Sequence, residues 1–430
     1  MLKYLWMVTQ ELFLTVTLVT WMHAMLGRLY GAAGRRIHGA ALAVGAAASF
    51  ALAAAKYTTN RIVSSHWNHY IYGAIIVLTL AFLILSLLLG RKENKTMGPG
   101  GVILSIVGGG LSAVLIFYQL PTVLLYPFSF NTMGNGYLSA YYGVRLGGWL
   151  LGLMLMLVYS RVMYHCALHI RPYGLLPALL NAGTVSFSVY CFGRFFVPWV
   201  NRAKWLCWPV KYNDEAYGWA GDMMMFTAKH AMLFIWIVAA LAALLALVFF
   251  IRNTRVTEPY NNPAQLRKLR ARNRRNRRAA VAVACGVALS VVILTAVKAY
   301  DTRVIELSAP ETYTVAENQI LIPLEAVNDG HLHRFEYRTE KNIDVRWIVV
   351  RKPNSASYGV GLDACEVCGN AGYFERNGQV ICKRCDVVMN INTIGFKGGC
   401  NPIVIDYSVE SGYIVVPIDT LIEHQEEFKK

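Results

Sequence analysis

Eight runs of apolar residues, each long enough to cross a bilayer, fill the chain as far as Val297. They are roughly Tyr4–Leu26, Ile37–Ala55, Tyr70–Leu89, Val102–Tyr126, Leu146–Leu168, Leu175–Val200, Met224–Ile251 and Ala279–Val297. About 20 such residues suffice for one helical crossing. No water reaches the hydrocarbon to satisfy backbone groups, so an apolar run of this length resolves as a helix. The expected fold class is therefore a polytopic α-helical membrane bundle of about eight transmembrane helices. The first run does not read as a cleaved signal peptide: its apolar stretch is long, and no small-x-small cleavage site precedes Arg28, Arg35 and Arg36.

Charge divides the chain in two. Of 430 residues with a formal net charge of +16, those from Tyr300 onward hold 13 Lys and Arg against 19 Asp and Glu, a balance of −6. The preceding part carries +22. A basic apolar part and an acidic polar part point to two domains in two environments, 1–299 and 300–430. The basic residues lie between apolar runs, where membrane topology accounts for them, so nucleic acid is not an expected partner. The loop Arg252–Arg278 has ten basic residues and one acid, Glu258, and is placed in the cytoplasm by the positive-inside bias. Counting spans from there sets the loops with Arg28/Arg35/Arg36 and Arg91–Lys95 inside. Those with Lys56/Arg61 and Arg202/Lys204/Lys211 fall outside, as do the N-terminus and the C-terminal domain. Membrane lipid is an expected partner, and the same basic loop suits anionic headgroups.

Ionisable groups at membrane depth are costly and mark either function or structural pairing. Glu11, in VTQELFLTV, is the one carboxylate well inside a run. It reads as a cation or proton site, or as a partner for Arg145, Arg194 or Lys229. His66, His69 and His230 lie at outer span ends; His23, His38, His165 and His169 lie at inner ones. Histidines on separate helices are axial-ligand material for haem, but His165 and His169 share one helix face and cannot flank one iron. Met22, Met25 and Met223–Met225 read as packing rather than copper ligands. Cys166, Cys191 and Cys285 read as small apolar residues; Cys207, in WLCWP, is more exposed.

After the eighth run the texture becomes short β-like segments between turn signals: Asn318–Leu324, Arg334–Tyr337, Val345–Arg351, Gly378–Ile381, Pro402–Tyr407 and Tyr413–Pro417. Within this β-rich domain Asp363–Pro402 holds five of the nine cysteines. Cys365/Cys368 and Cys382/Cys385 form two CxxC pairs with thirteen residues between, and Cys400 follows in GGCNP. Each CxxC turn presents two sulfurs from one tight loop, and two such turns make a four-thiolate shell for zinc, mononuclear iron or an iron–sulfur cluster. Outside the cytoplasm disulfides are a further reading, against which the odd fifth cysteine stands. Glycines beside Cys400 leave main-chain N–H groups able to point at sulfur, a lever on cluster potential, which favours a cluster. His331 and His333 share one face of a strand and are additional ligand candidates; Asp363 is a candidate to bond the backbone near the first turn.

HLHRFEY, DACEVCGNAGYF, ICKRCDVVMNINTIG and GGCNP together resemble the C-terminal domain of the FtrD-like family of bacterial membrane iron–sulfur proteins, over Glu325 to Ile422. The apolar part resembles the longer members in hydropathy. The resemblance implies cluster binding by Cys365, Cys368, Cys382 and Cys385 with Cys400, and electron transfer accompanying iron uptake across the bacterial cytoplasmic membrane. It also implies an iron-uptake permease or redox proteins as partners. A metal-ion permease with a structural zinc-ribbon-like domain, and a thiol–disulfide relay, are the rival readings. No hydrolase or transferase constellation is present.

Overall fold

The computed structural model describes residues 1–59, 62, 68–89, 96–130, 140–195, 218–303, 306–353, 355–376, 378–384, 387–396, 398 and 400–429. The chain forms two compact units, one ending at Thr302 and the other beginning at Arg303.

The first unit is helical: α1 Leu2–Thr58, α2 Asn68–Leu89, α3 Pro99–Leu125, α4 Ala140–His169, α5 Leu175–Phe195, α6 Gly218–Lys229, α7 Ala231–Arg252 and α8 Pro263–Val292. Among the described residues seven helices, all of these but α6, are long and apolar enough to cross a membrane. The count of eight runs survives inside α1, which contains the first two. A straight helix of its 57 residues would be about 85 Å long, far beyond the ~30 Å hydrocarbon. It breaks at Gly31, whose φ of 61° and ψ of −132° suit a residue without Cβ. Beyond the break the chain turns back. His23 Nδ1 and His38 Nδ1 stand 3.0 Å apart, whereas fifteen residues of continuous helix would separate them by about 22 Å. His38 Nε2 then meets Ser112 Oγ of α3 at 2.9 Å.

The basic segment expected as a loop is corrected in part. From Pro263 it is helix, the start of α8, because Asn262 caps it and Pro occupies the first turn. The Gln265 N–H donates to Asn262 Oδ1 at 2.7 Å. Eight of the ten basic residues, from Arg267 on, thus extend the last span as one rod, which runs on through Ile293–Val297 to Asp301. Glu258 bridges Arg272 at 2.8 Å and Arg171 at 3.3 Å.

The second unit is β-rich. One antiparallel sheet has the order β1–β2–β9–β8, from Thr314–Ala316, Gln319–Pro323, Tyr413–Pro417 and Ser408–Glu410. A second joins β3 His333–Arg338, β4 Asp344–Arg351 and β5 Tyr358–Leu362; a hairpin pairs β6 Tyr373–Arg376 with β7 Gln379–Cys382. The strand expected over Pro402–Tyr407 is not one. It makes two backbone bonds beside the end of β5, Leu362 N–H to Ile403 O at 2.8 Å and Ile403 N–H to Ala364 O at 3.0 Å, and no regular ladder. Pro402 has no N–H to extend the pairing.

Strand β4 organises this unit. Successive side chains on a strand point to opposite faces. Val345, Trp347 and Val349 enter a core with Ile320 and Ile322 of β2, Ile414 and Val416 of β9, and Phe335. Ile348 and Val350 enter a second core with Cys365, Cys368, Tyr373, Val380 and Cys382. The central strand is buried on both faces, and the cysteines form the outer lining of one of them.

Candidate metal centre

The first CxxC sits in a tight turn. Cys365 N–H donates to Gly369 O at 3.1 Å, Gly369 N–H returns to Cys365 O at 2.8 Å, and Cys368 N–H points at Cys365 Sγ at 3.1 Å. The second begins where β7 ends: Cys382 pairs with Tyr373 across the hairpin, and its N–H reaches Val387 O at 3.0 Å. The two turns bring the sulfurs of Cys365, Cys368 and Cys382 within 4.8 Å of one another, all buried. The edge of a tetrahedron built on 2.3 Å metal–sulfur bonds is about 3.8 Å, so the three thiols are already close to a thiolate shell. None of the described cysteines is in a disulfide. The donor set fits a thiophilic metal or an iron–sulfur group. Cys385, expected as the fourth ligand, lies outside the described residues, as do His66 and Cys207.

Cys400 is half-buried and packs against the same core, outside the group of three. Tyr373 ties it in, the phenol donating to Cys400 O at 2.6 Å. Burial pushes the Tyr373 phenol far up from its ordinary value, and the neighbouring sulfurs of Cys365 and Cys382 add to the rise. It therefore stays a donor at any physiological pH.

Beneath the first turn lies a buried charge network. Asp363, fully enclosed, accepts from Arg334 Nε at 3.0 Å, Arg346 Nε at 3.2 Å and the Tyr373 N–H at 2.7 Å. Arg334 is 1% exposed and spends its other donors on Ser308 and the Tyr373 carbonyl. Arg346 Nη2 bonds Asn370 O at 2.9 Å. Arg334 pairs with Ile348 across the sheet, so both arginines stand on the cysteine face of β3 and β4. One carboxylate thus fixes both ends of the segment that carries the first CxxC. Asp363 was legible as a candidate; the arginines were missed, since each reaches it from a distant strand.

Close approach is arranged by glycine. Gly359 and Gly361 lie opposite Val350 and Ile348, again on the cysteine face. A Cβ on Gly359 would stand 2.9 Å from Ile394 Cβ, and one on Gly361 would stand 2.7 Å from Pro402 Cβ. Ile394 and Pro402 can therefore lie directly on β5. The signal was present in the alternation Tyr358-Gly-Val-Gly-Leu362, where glycine weakens a strand for no local reason.

The histidines of the domain do not join the thiols. His331 Nδ1 meets Glu375 Oε1 at 2.8 Å. His333 lies between two carboxylates, its Nδ1 3.0 Å from Glu311 and its Nε2 2.8 Å from Asp329. Burial pulls the His333 pKa down, but the hydrogen bonds and charges of Asp329 and Glu311 outweigh it, and the net shift is upward. In the helical unit Glu11 makes no ion pair with Arg145, Arg194 or Lys229. His69 is buried against Tyr70, with ring centroids 3.9 Å apart and an unpartnered Nδ1. His230 is exposed, its Nδ1 3.1 Å from Phe226 O. His165 bonds Asn276 at 3.1 Å, and its ring lies tilted against that of His169 with centroids 4.6 Å apart.

These features define a helical membrane protein joined to a β-rich domain with a buried cysteine group able to hold a metal. Residues 327–428 match the family described as membrane iron-sulfur containing protein FtrD-like, which bears out the resemblance of that segment. No curated protein and no solved structure matches the chain.

Proposed function

We propose that this protein is a membrane-anchored iron–sulfur electron carrier of the bacterial cytoplasmic membrane that serves iron uptake at the outer face. The carrying observation is the convergence of Cys365, Cys368 and Cys382 in a segment matching an iron–sulfur family. Cys385 is the fourth ligand by spacing, and Cys400 stands beside the shell. A bound cluster supplies one-electron exchange. The chain's own groups do the rest: Asp363 with its arginines fixes the first turn, Tyr373 anchors the Cys400 loop, and Ile348 and Val350 exclude water from beneath. The basic start of α8 supports a cytoplasmic position for that end of the bundle, and the parity of eight apolar segments then supports an outer C-terminal domain. An iron-uptake permease or a redox protein is the partner this reading requires.

Absorption and electron paramagnetic resonance spectra of the full-length protein, with iron, zinc and acid-labile sulfide analysis, test it. Sulfide and iron in stoichiometric amounts support the cluster. Colourless protein rich in zinc overturns it. The short spacing of the three sulfurs favours one second reading, a single metal in four thiolates. Metal without sulfide identifies that case.

A further inference from the structure

Away from the cysteines, three cavities in the helix bundle share a wall residue, Gln119. Two, of about 150 and 200 Å³, are lined by Glu11, Tyr118 and Gln119. The third, of about 330 Å³, lies among apolar side chains that include Leu12, Val16 and Val19 of α1 and Leu157 of α4, and Gln119 is in its wall too. Leu157 is 69% exposed, so this cavity borders the surface that faces lipid. From Leu12 to Val19 it follows α1 for about 10 Å. A polar chamber and an apolar channel thus share one amide.

Two polar groups there are left without partners. Neither the Glu11 carboxylate nor the Gln119 amide has a hydrogen bond or ion pair among the described residues. Both sit within helices of membrane-spanning length, where an unsatisfied polar group is costly. Tyr118 Oη is 3.0 Å from Tyr72 Oη and keeps capacity for one more bond. Lys56 and Asn68, at the ends of α1 and α2, close the larger polar chamber.

We propose that this composite site binds a prenylated quinone in its oxidised and reduced forms, ring in the polar chamber and tail in the apolar channel. Such a ligand is neutral, flat and lipid-soluble, with an oxygen at each end of the ring. The Gln119 amide N–H and the Tyr118 hydroxyl donate to a quinone carbonyl. The Glu11 carboxylate accepts from a hydroquinone hydroxyl, and the Gln119 carbonyl offers a second acceptor. A phospholipid would fill the channel equally well, but its phosphate would bring a second negative charge against Glu11. Occupancy of this site is independent of the metal at the cysteines, so the two readings fail separately.

The test is isothermal titration of the full-length protein in detergent, with its metal content recorded. The probe is a benzoquinone with one isoprenyl unit, and its hydroquinone. The proposal requires saturable binding at one site per chain. Glu11→Gln should weaken the hydroquinone at least about tenfold, the loss expected for one charge-assisted hydrogen bond, and leave the quinone within threefold. Gln119→Leu should weaken the quinone. Val16→Phe should weaken the tailed probe and not a tail-less ring. No saturable binding, or Glu11→Gln and Gln119→Leu proteins that bind like the wild type, overturns it. Displacement of the probe from wild-type protein by a short-chain phospholipid, with no effect of tail-less quinones, also overturns it and needs no variant to fold.

Discussion

Replacing Asp363 by Ala removes the one anion that two arginines and a backbone N–H share. Arg334 is 1% exposed and would be left charged in a closed site, with bonds only to Ser308 and the Tyr373 carbonyl. Breaking a buried ion pair from one side costs about 3–5 kcal/mol. Each 1.4 kcal/mol is a factor of ten in the opening equilibrium, so amide exchange should speed up from about a hundredfold to a few thousandfold. The effect should be concentrated in β3, β4, β6 and the 363–373 segment. Hydrogen exchange with mass spectrometry on the full-length protein reads this directly, peptide by peptide, with the helical unit as internal reference. Asp363→Asn keeps an acceptor for the Tyr373 N–H and should fall between Ala and wild type. Exchange in the Ala variant within threefold of wild type would refute the reasoning, because it would mean the charge network holds nothing that the apolar cores do not hold alone.

Cys382→Ser should lower bound metal per chain by at least half with the β-sheet content intact, as measured by metal analysis and circular dichroism, whereas Cys285→Ser, at an exposed position of α8, should change neither. The Glu311–His333–Asp329 bridge should give the domain a stability maximum between two limits. His333 has a raised pKa, so its contribution is complete below the ordinary histidine value near 6.5 and is lost as pH climbs through the raised one. Asp329 has a lowered pKa, caused first by the His331 N–H and then by His333, so its contribution holds above the ordinary carboxylate value and is lost in acid. The difference in thermal stability between wild type and His333→Gln, followed against pH, should therefore be flat from about 5 to 6.5 and shrink above that. Gly361→Val should force Pro402 off β5, since even a Cβ would stand 2.7 Å from it, and should raise the reactivity of Cys400 toward a thiol reagent several-fold while Cys166, in the helical unit, stays unreactive.

The bundle was legible because length and apolar character are local properties. A run of 20 apolar residues has one low-energy conformation in hydrocarbon whatever its neighbours do. The two CxxC turns were legible for a similar reason, since a spacing of three places two sulfurs on one tight loop. Strands β2, β3, β4, β7 and β9 announced themselves by composition. Strands β5 and β6 did not: the two glycines of β5 depress its propensity and are explained only by Pro402 and Ile394 lying on top of them.

From the sequence alone came a membrane-spanning helical part, a separate acidic β-rich domain, and a set of cysteines with the spacing of a thiolate site. Only the tertiary structure decided how those pieces act. It folded α1 back at Gly31, a matter of one φ angle that no apolar run records. It engaged His331 and His333 with carboxylates and left them outside the thiol group. It closed Arg334 and Arg346 onto Asp363, and set Glu11 and Gln119 unpartnered around shared cavities. Apart from His333 with Asp329, these contacts join residues 17 to 44 positions apart. Their energy depends on which groups remain without water once the helices and strands have packed, and that is a property of the assembled fold.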